Sequence, residues 1–204
     1  MINIRKEDIN MLRHKGTLTI ETEHLILRKF TIEDARDMFN NCVNDDKVAR
    51  FLSWIPHDSA DITKKILTGW IKEYEKPDTY SWCIVLKESS QAVGHIAVNE
   101  FSETHERCDI GYYLGRSFWN RGLMTEALKA VIDFLFFEVG MNRIQAKHDA
   151  KNPASGKVME KAGMKYEGTL KKYKKHKDGT FGSSDIYAIT KDELLSILRE
   201  DYHE

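Results

Sequence analysis

The chain has 204 residues, 41% hydrophobic and 31% charged, enough to close one globular domain around a full core. Its formal net charge of −1 provides no global field toward nucleic acid or an anionic membrane. Cys42, Cys83 and Cys108 stand in no CxxC spacing, which argues against a disulfide frame or a zinc site and reads as buried thiols of a reducing compartment.

The opening MINIRKEDIN lacks the apolar h-region of a signal peptide, and no apolar run approaches the length of a membrane span. A cytoplasmic protein is therefore expected. Residues 1–16 read as a charged extension with Ile9 and Leu12 as its best apolar pair and room for one short helix. Residues 17–204 read as a single domain, with three prolines and no low-complexity tract to mark a linker.

Residues 17–30 alternate and predict a strand. Thr31 then reads as the N-cap of a helix that turns Ile32, Ala35, Met38, Phe39 and Cys42 to one side and stops at Asn44-Asp45-Asp46. Residues 47–58 are irregular and aromatic. A second helix opens at Asp58 or Ser59, carries Ile62, Ile66, Trp70 and Ile71 inward, and finishes before Pro77. Residues 80–87 and 92–101 predict two strands of a hairpin, and residues 108–114 extend the meander.

Gly115 to Gly122 is a polar, glycine-containing turn. From Leu123 to Val139 apolar residues recur at helical spacing, with Glu126, Lys129 and Asp133 on the wet face. A strand that turns into a helix this way presents free backbone N–H groups and a positive dipole end, a ready anion site. Neither GxxxxGK[ST] nor GxGxxG occurs, so neither nucleotide motif explains it. Residues 143–150 predict a fifth strand. Asn152-Pro153 opens a short helix that Gly163 closes. Residues 165–177 form a basic strand, Asp178-Gly179 a hairpin turn, residues 184–189 the last strand and residues 192–198 a final helix. Helices interleaved with a mostly antiparallel run of strands predict an α+β fold with a mixed central sheet.

The wording IGYYL followed by FWNRGLMTEAL resembles the acyl-CoA-binding signature of the GNAT superfamily of N-acetyltransferases. It is most similar to the branch of ribosomal-protein N-terminal acetyltransferases, the RimJ/RimL-like group. Trp119, Gly122, Thr125, Glu126 and Ala127 match that pattern, and HLILR resembles the branch's opening strand. The chain departs from it at Asn120, where the family has its first glycine, at Ser117, where it has Gln or Arg, and at Met124, where it has Ala. Asn tolerates a left-handed backbone, so the turn is expected to survive. The resemblance covers about residues 20–190.

The resemblance implies acetyl-CoA as cosubstrate, held by Tyr113, Leu114, Arg116, Asn120, Arg121, Gly122, Leu123, Met124 and Thr125, with Asn152 and Ser155 from the N-x-x-S segment. It assigns the oxyanion to backbone groups of Tyr112, Tyr113 and Leu114, and places the Ser155 hydroxyl near the sulfur as an acid. Glu167, in MKYEG, matches a family carboxylate and is a candidate base; read from the residues, Asp109 and Glu100 are further candidate bases, and Tyr112, Tyr113 and Tyr166 further proton donors. Read from the residues alone, Asn152 is equally a helix cap and each carboxylate equally a surface group. Eight histidines show no paired ligand spacing, so no metal is implied.

The two early helices wall the acceptor side in this family, which makes Phe51, Trp54 and Trp70 candidate substrate neighbours. The implied reaction moves an acetyl group to a primary amine, a protein N-terminus or a small molecule, by direct attack in a ternary complex. The competing readings are a non-catalytic acyl-CoA sensor and RNA or ribosome docking through the run 171–177. That run reads first as a solvated edge strand whose lysines block sheet-to-sheet association, so nucleic acid is not an expected partner. No membrane partner is expected, and a homodimer is compatible with the reading.

Overall fold

The computed structural model describes residues 12–201. Its eight strands form one sheet: β1 (Ile20–Glu21), β2 (Leu25–Arg28), β3 (Ser81–Leu86), β4 (Gln91–Ser102), β5 (Arg107–Leu114), β6 (Arg143–Asp149), β7 (Lys165–Lys175) and β8 (Phe181–Thr190), in the order β1-β2-β3-β4-β5-β6-β8-β7. Every neighbouring pair is antiparallel except β5 and β6. That parallel pair needs a crossover, and helix α4 (Leu123–Asp133), prolonged by a wide turn over Phe134–Val139, supplies it. Gly140, at φ +96°, ends that helix in the left-handed conformation that favours glycine.

The remaining helices are α1 (Asp34–Met38), α2 (Asp46–Ala49), α3 (Ala60–Glu73), α5 (Pro153–Lys161) and α6 (Lys191–Asp201). Two apolar clusters lie on opposite faces of the sheet. One gathers Trp82, Ile84, Ile96, Ile110 and Ile144 under Leu128, Val131 and Leu135 of the crossover and Met159 of α5. The other gathers Cys83, Val85 and Ala92 under Met38, Cys42 and Leu67. β3 is covered on both faces, which is why it reads as a continuous apolar run instead of alternating. The three cysteines are free and buried.

Several expectations are corrected. Residues 17–30 do not form one strand: the Thr22 hydroxyl accepts from Leu25 N at 3.1 Å, reversing the chain, so β1 folds back on β2. Thr31 does not cap a helix. Its own N–H donates to Asp34 at 2.7 Å, and Asp34, buried at 6% exposure, also takes a bidentate pair from Arg28 at 2.7 Å. Residues 47–58 hold an unexpected turn of helix, α2, capped by the Asp45 carboxylate accepting from Lys47 N at 2.8 Å. Ser59 caps α3, as expected, but the buried positions of that helix are Thr63 and Leu67, with Ile62 and Ile66 exposed. The short helix imagined around Ile9 lies outside the described residues for 1–11, and residues 12–16 are not helical.

Candidate active site

The parallel ladder between β5 and β6 runs from Arg107↔Arg143 to Ile110↔Ala146 and stops. β5 continues to Leu114 on β4, while β6 continues to Asp149 on β8, so the two strands part. Gly115 N donates to Val93 O at 2.8 Å. By the alternation of an antiparallel ladder, Gly111 and Tyr113 then bond to β4, and the backbone groups of Tyr112 and Leu114 face the gap. The Leu114 carbonyl accepts from the Trp119 indole at 2.8 Å. What the gap offers is therefore the Tyr112 and Leu114 N–H groups, with the Tyr112 carbonyl, fixed by the sheet before any ligand arrives.

The turn after β5 brings a helix start to the same place. Asn120 sits at φ +59° and Gly122 at φ +79°, both left-handed, so Asn120 takes the conformation its residue type tolerates. Gly122 is the N-cap of α4 without a side-chain cap, and Glu126 N makes the first return bond to Gly122 O at 3.0 Å. The N–H groups of Leu123, Met124 and Thr125 are thus the orphan donors of a helix terminus. A Cβ on Gly122 would meet no protein atom within 4 Å, so the space above it is open to a ligand. Arg116 reaches Asp45 at 2.7 Å and Arg121 reaches Glu88 at 2.9 Å. The Arg121–Glu88 pair is exposed on both sides and worth under about 1 kcal/mol, so breaking it costs little. Glu126 bonds His24 N at 2.8 Å and ties the helix start to β2.

On the α5 side, Asn152 occupies the N-cap position and Pro153 the first turn, but the Asn152 side chain makes no capping hydrogen bond. The Ser155 hydroxyl donates to the Tyr112 hydroxyl at 3.1 Å, which donates onward to Ser155 O at 3.0 Å. Burial pushes the Tyr112 phenol well above its usual range, so it keeps its proton at any working pH. Tyr112 is the side chain that residue-by-residue reading undervalued. Its partner Ser155 lies 43 positions away, and only the crossover through α4 and β6 brings them together.

The carboxylates lie on the opposite face, since Asp109 alternates with Tyr112 along β5. Asp109, buried at 6% exposure, accepts from Lys147 at 2.7 Å and from Gln145 at 3.2 Å. Burial opposes the Lys147 charge, but hydrogen bonds to Asp109 and Tyr173 overcome it and hold Lys147 above its ordinary value. Glu167 is gripped by Arg143 through bonds of 2.7 and 2.5 Å, and these hold its carboxyl below the usual range. Glu100 is exposed on β4 and Tyr166 on β7. The structure thus brings Ser155 to Tyr112 at the gap, and sets Asp109, within the paired part of the ladder, and Glu167, on Arg143 at the start of β6, in ion pairs.

The face of the sheet under α1 and α3 holds a cavity of about 130 Å³ between these helices and β5, lined by Trp54, Trp70, Tyr113, Ile66, Leu67 and His57 among others. Phe51 is not part of it: its ring packs under Arg50, and its carbonyl accepts from Lys174 at 2.5 Å. Lys177 likewise reaches Ala49 O at 3.0 Å, and His176 bonds Asp149 at 2.7 Å. β7 is the edge strand the lysine run predicts. Two of its hairpin's lysines nevertheless reach across to the loop around α2 instead of standing in solvent. Among the described residues no group of three or more His, Cys, Asp or Glu side chains is gathered at metal-binding geometry, and no helix is long and apolar enough to cross a membrane.

The family model for the acetyltransferase (GNAT) domain matches residues 24–165. The chain is 28% identical over 172 residues to the uncharacterized N-acetyltransferase YoaA of Bacillus subtilis (strain 168), covering 84% of this chain and 96% of that one. It is 25% identical over 131 residues to the ribosomal-protein-serine acetyltransferase of Escherichia coli (strain K12), covering 64% and 72%. The crystal structure of the microcin C7 self-immunity acetyltransferase MccE, in complex with acetyl-CoA and AMP, superposes with a TM-score of 0.74 at 19% identity, covering 88% of this chain and 98% of that one.

Proposed function

The chain belongs to the GNAT family of acetyltransferases and uses acetyl-CoA as acetyl donor, and we propose that it moves the acetyl group directly to a primary amine bound on the α1–α3 side of the parted strands. Acetyl-CoA, when bound, supplies an acyl group activated as a thioester. The residues present fit it: the uncapped start of α4 with open space above Gly122 suits a pyrophosphate, and the gap between β5 and β6 suits an extended polar arm.

In this reading the N–H groups of Tyr112 and Leu114 stabilise the carbonyl oxygen as it gains negative charge. The Ser155 hydroxyl, backed by the protonated Tyr112 phenol, delivers a proton to the departing sulfur. Asp109 and Glu167 enter with Lys147 and Arg143 attached. Arg143 makes Glu167 a weaker base than a free carboxylate, and an acceptor amine arrives best already neutral. Asn152, with no capping bond to satisfy, has its amide available for the donor's polar arm. Because acid and acceptor sit on opposite faces of one opening, the amine attacks without a covalent enzyme intermediate.

The observation that carries this reading is the juxtaposition of the broken ladder with the uncapped helix start. The relative named for ribosomal-protein serine supports a protein N-terminus as one acceptor class beside small amines, and the three buried free thiols support a cytoplasmic setting. The test is free-thiol release from acetyl-CoA across a panel of amines and N-terminal peptides. Release that depends on amine supports the reading; acetyl-CoA binding with no release on any acceptor overturns it.

A further inference from the structure

Resting on that reading, we propose that the cavity between α1, α3 and β5 is the acceptor's side-chain subsite, and that it takes an uncharged apolar group of about phenyl size. Protein interiors pack closely and leave few voids larger than a water molecule. Here about 130 Å³ stays open against Leu67, which is itself only 1% exposed. An apolar cavity of about 150 Å³ holds a benzene ring, so the volume fits a phenyl or a branched aliphatic group.

The lining decides the chemistry. Trp54 meets the Tyr113 ring edge-on at 5.5 Å, Trp70 is held by stacking on His95 at 4.6 Å, and Ile66 and Leu67 complete an apolar wall. No Asp, Glu, Lys or Arg lines the space. Beside the Tyr113 phenol and the two indoles, its polar members are His57 and Thr63, joined to each other at 2.9 Å, and burial lowers the His57 pKa so that the ring is neutral near pH 7. A second ammonium, as in a polyamine or an aminoglycoside, would leave water there without a counter-charge.

Position links the cavity to the reaction. Tyr113 lies in the chain between Tyr112 and Leu114, whose N–H groups face the gap, and strand residues rise only about 3.3 Å apart. A ring seated against Tyr113 therefore puts an amine two carbons away within reach of the opening.

The experiment compares phenethylamine, ethanolamine and spermidine as acceptors by free-thiol release, in the wild type and in Ile66→Phe. Ile66 is 36% exposed, so the larger side chain fills the cavity without breaking the core, and an unchanged melting temperature confirms this. Burying the ring predicts kcat/KM for phenethylamine about 30-fold above that for ethanolamine. Ile66→Phe should cut the ratio to within about threefold, and phenethylamine should perturb the fluorescence of Trp54 and Trp70 in the wild type. Equal kcat/KM for the three amines, a preference for spermidine, or a ratio that survives Ile66→Phe would overturn the subsite while leaving acetyl transfer standing. Perturbed fluorescence with no release on any amine would overturn the transfer reading, and the acceptor role of the cavity with it.

Discussion

The two sides of the gap between β5 and β6 are built from different material. On the α4–α5 side the working groups are mainly backbone: N–H groups of Tyr112 and Leu114, the uncapped start of α4, and one hydroxyl pair, Ser155 with Tyr112. On the α1–α3 side they are side chains around a void: two tryptophans, Tyr113, His57 and aliphatic neighbours. Backbone donors serve any acyl-CoA, because they read no feature beyond charge and shape. On the proposed reading, side-chain walls read the acceptor. The difference then teaches that donor chemistry is a property of the fold, while acceptor choice is a property of a few side chains on α3, β5 and the segment before α3.

The sharpest break between the sides comes from the hydroxyl pair. Ser155→Ala should lower kcat by about 10²–10⁴ while acetyl-CoA affinity moves by less than about threefold. Tyr112→Phe should reproduce the direction of the effect, since it removes the phenol that the Ser155 hydroxyl bonds to. Steady-state kinetics paired with calorimetric titration separates the two quantities. A loss of affinity matching the loss of rate would make the pair a binding device.

Next in size is Gly122→Val, which acts on the donor side alone. A side chain at φ +79° is strained, at a cost of about 1–2 kcal/mol in stability, and its branch occupies the open space above the helix start. Acetyl-CoA affinity should fall about 10²-fold, with phenethylamine still perturbing tryptophan fluorescence. Calorimetry with CoA, with circular dichroism to confirm folding, checks both halves.

A third effect belongs to the cavity side, where side chains titrate and backbone does not. Burial pushes the His95 imidazole down to about 3, against about 6.5 in an unfolded chain. Between those values the unfolded chain binds more protons, so stability falls as pH falls, by at most about 1.4 kcal/mol per pH unit for this group. His95→Gln should flatten the slope of melting temperature against pH in that window. The smallest expected effect is that of Glu167→Gln. With its carboxylate already held by Arg143, its loss should lower kcat by less than about fivefold at pH 8, and a drop of 10² would restore it as the base.

The same asymmetry governs what could be read from residues alone. The donor side was legible because it is local in sequence: strand, turn and helix are contiguous, and Asn120 and Gly122 are residue types that tolerate the left-handed backbone they adopt. The parting of β5 from β6 was not, since a strand's wording is the same whether its partner stays or leaves. Nor was the grip of Arg143 on Glu167, which forms only because β8 lies between β6 and β7 and sets their spacing. On α3 the apolar stripe of Ile62 and Ile66 pointed to an inward face one residue away from the buried one, Thr63 and Leu67. Ile66 is apolar because it borders the cavity, and hydrophobic spacing cannot tell a packed face from a void. The break between β1 and β2 is a turn closed by the backbone and hydroxyl of Thr22 on Leu25, within a stretch that otherwise alternates like a strand.

The central claim, that the parted strands and the start of α4 form one donor site, is tested most directly by amide-resolved hydrogen exchange with and without acetyl-CoA. The account predicts slowed exchange at Tyr112, Leu114, Leu123, Met124 and Thr125, with little change at Cys108 and Ile110, whose backbone groups are already paired across to β6. Protection spread evenly over β5, or confined to residues outside the gap and the α4 start, would contradict it.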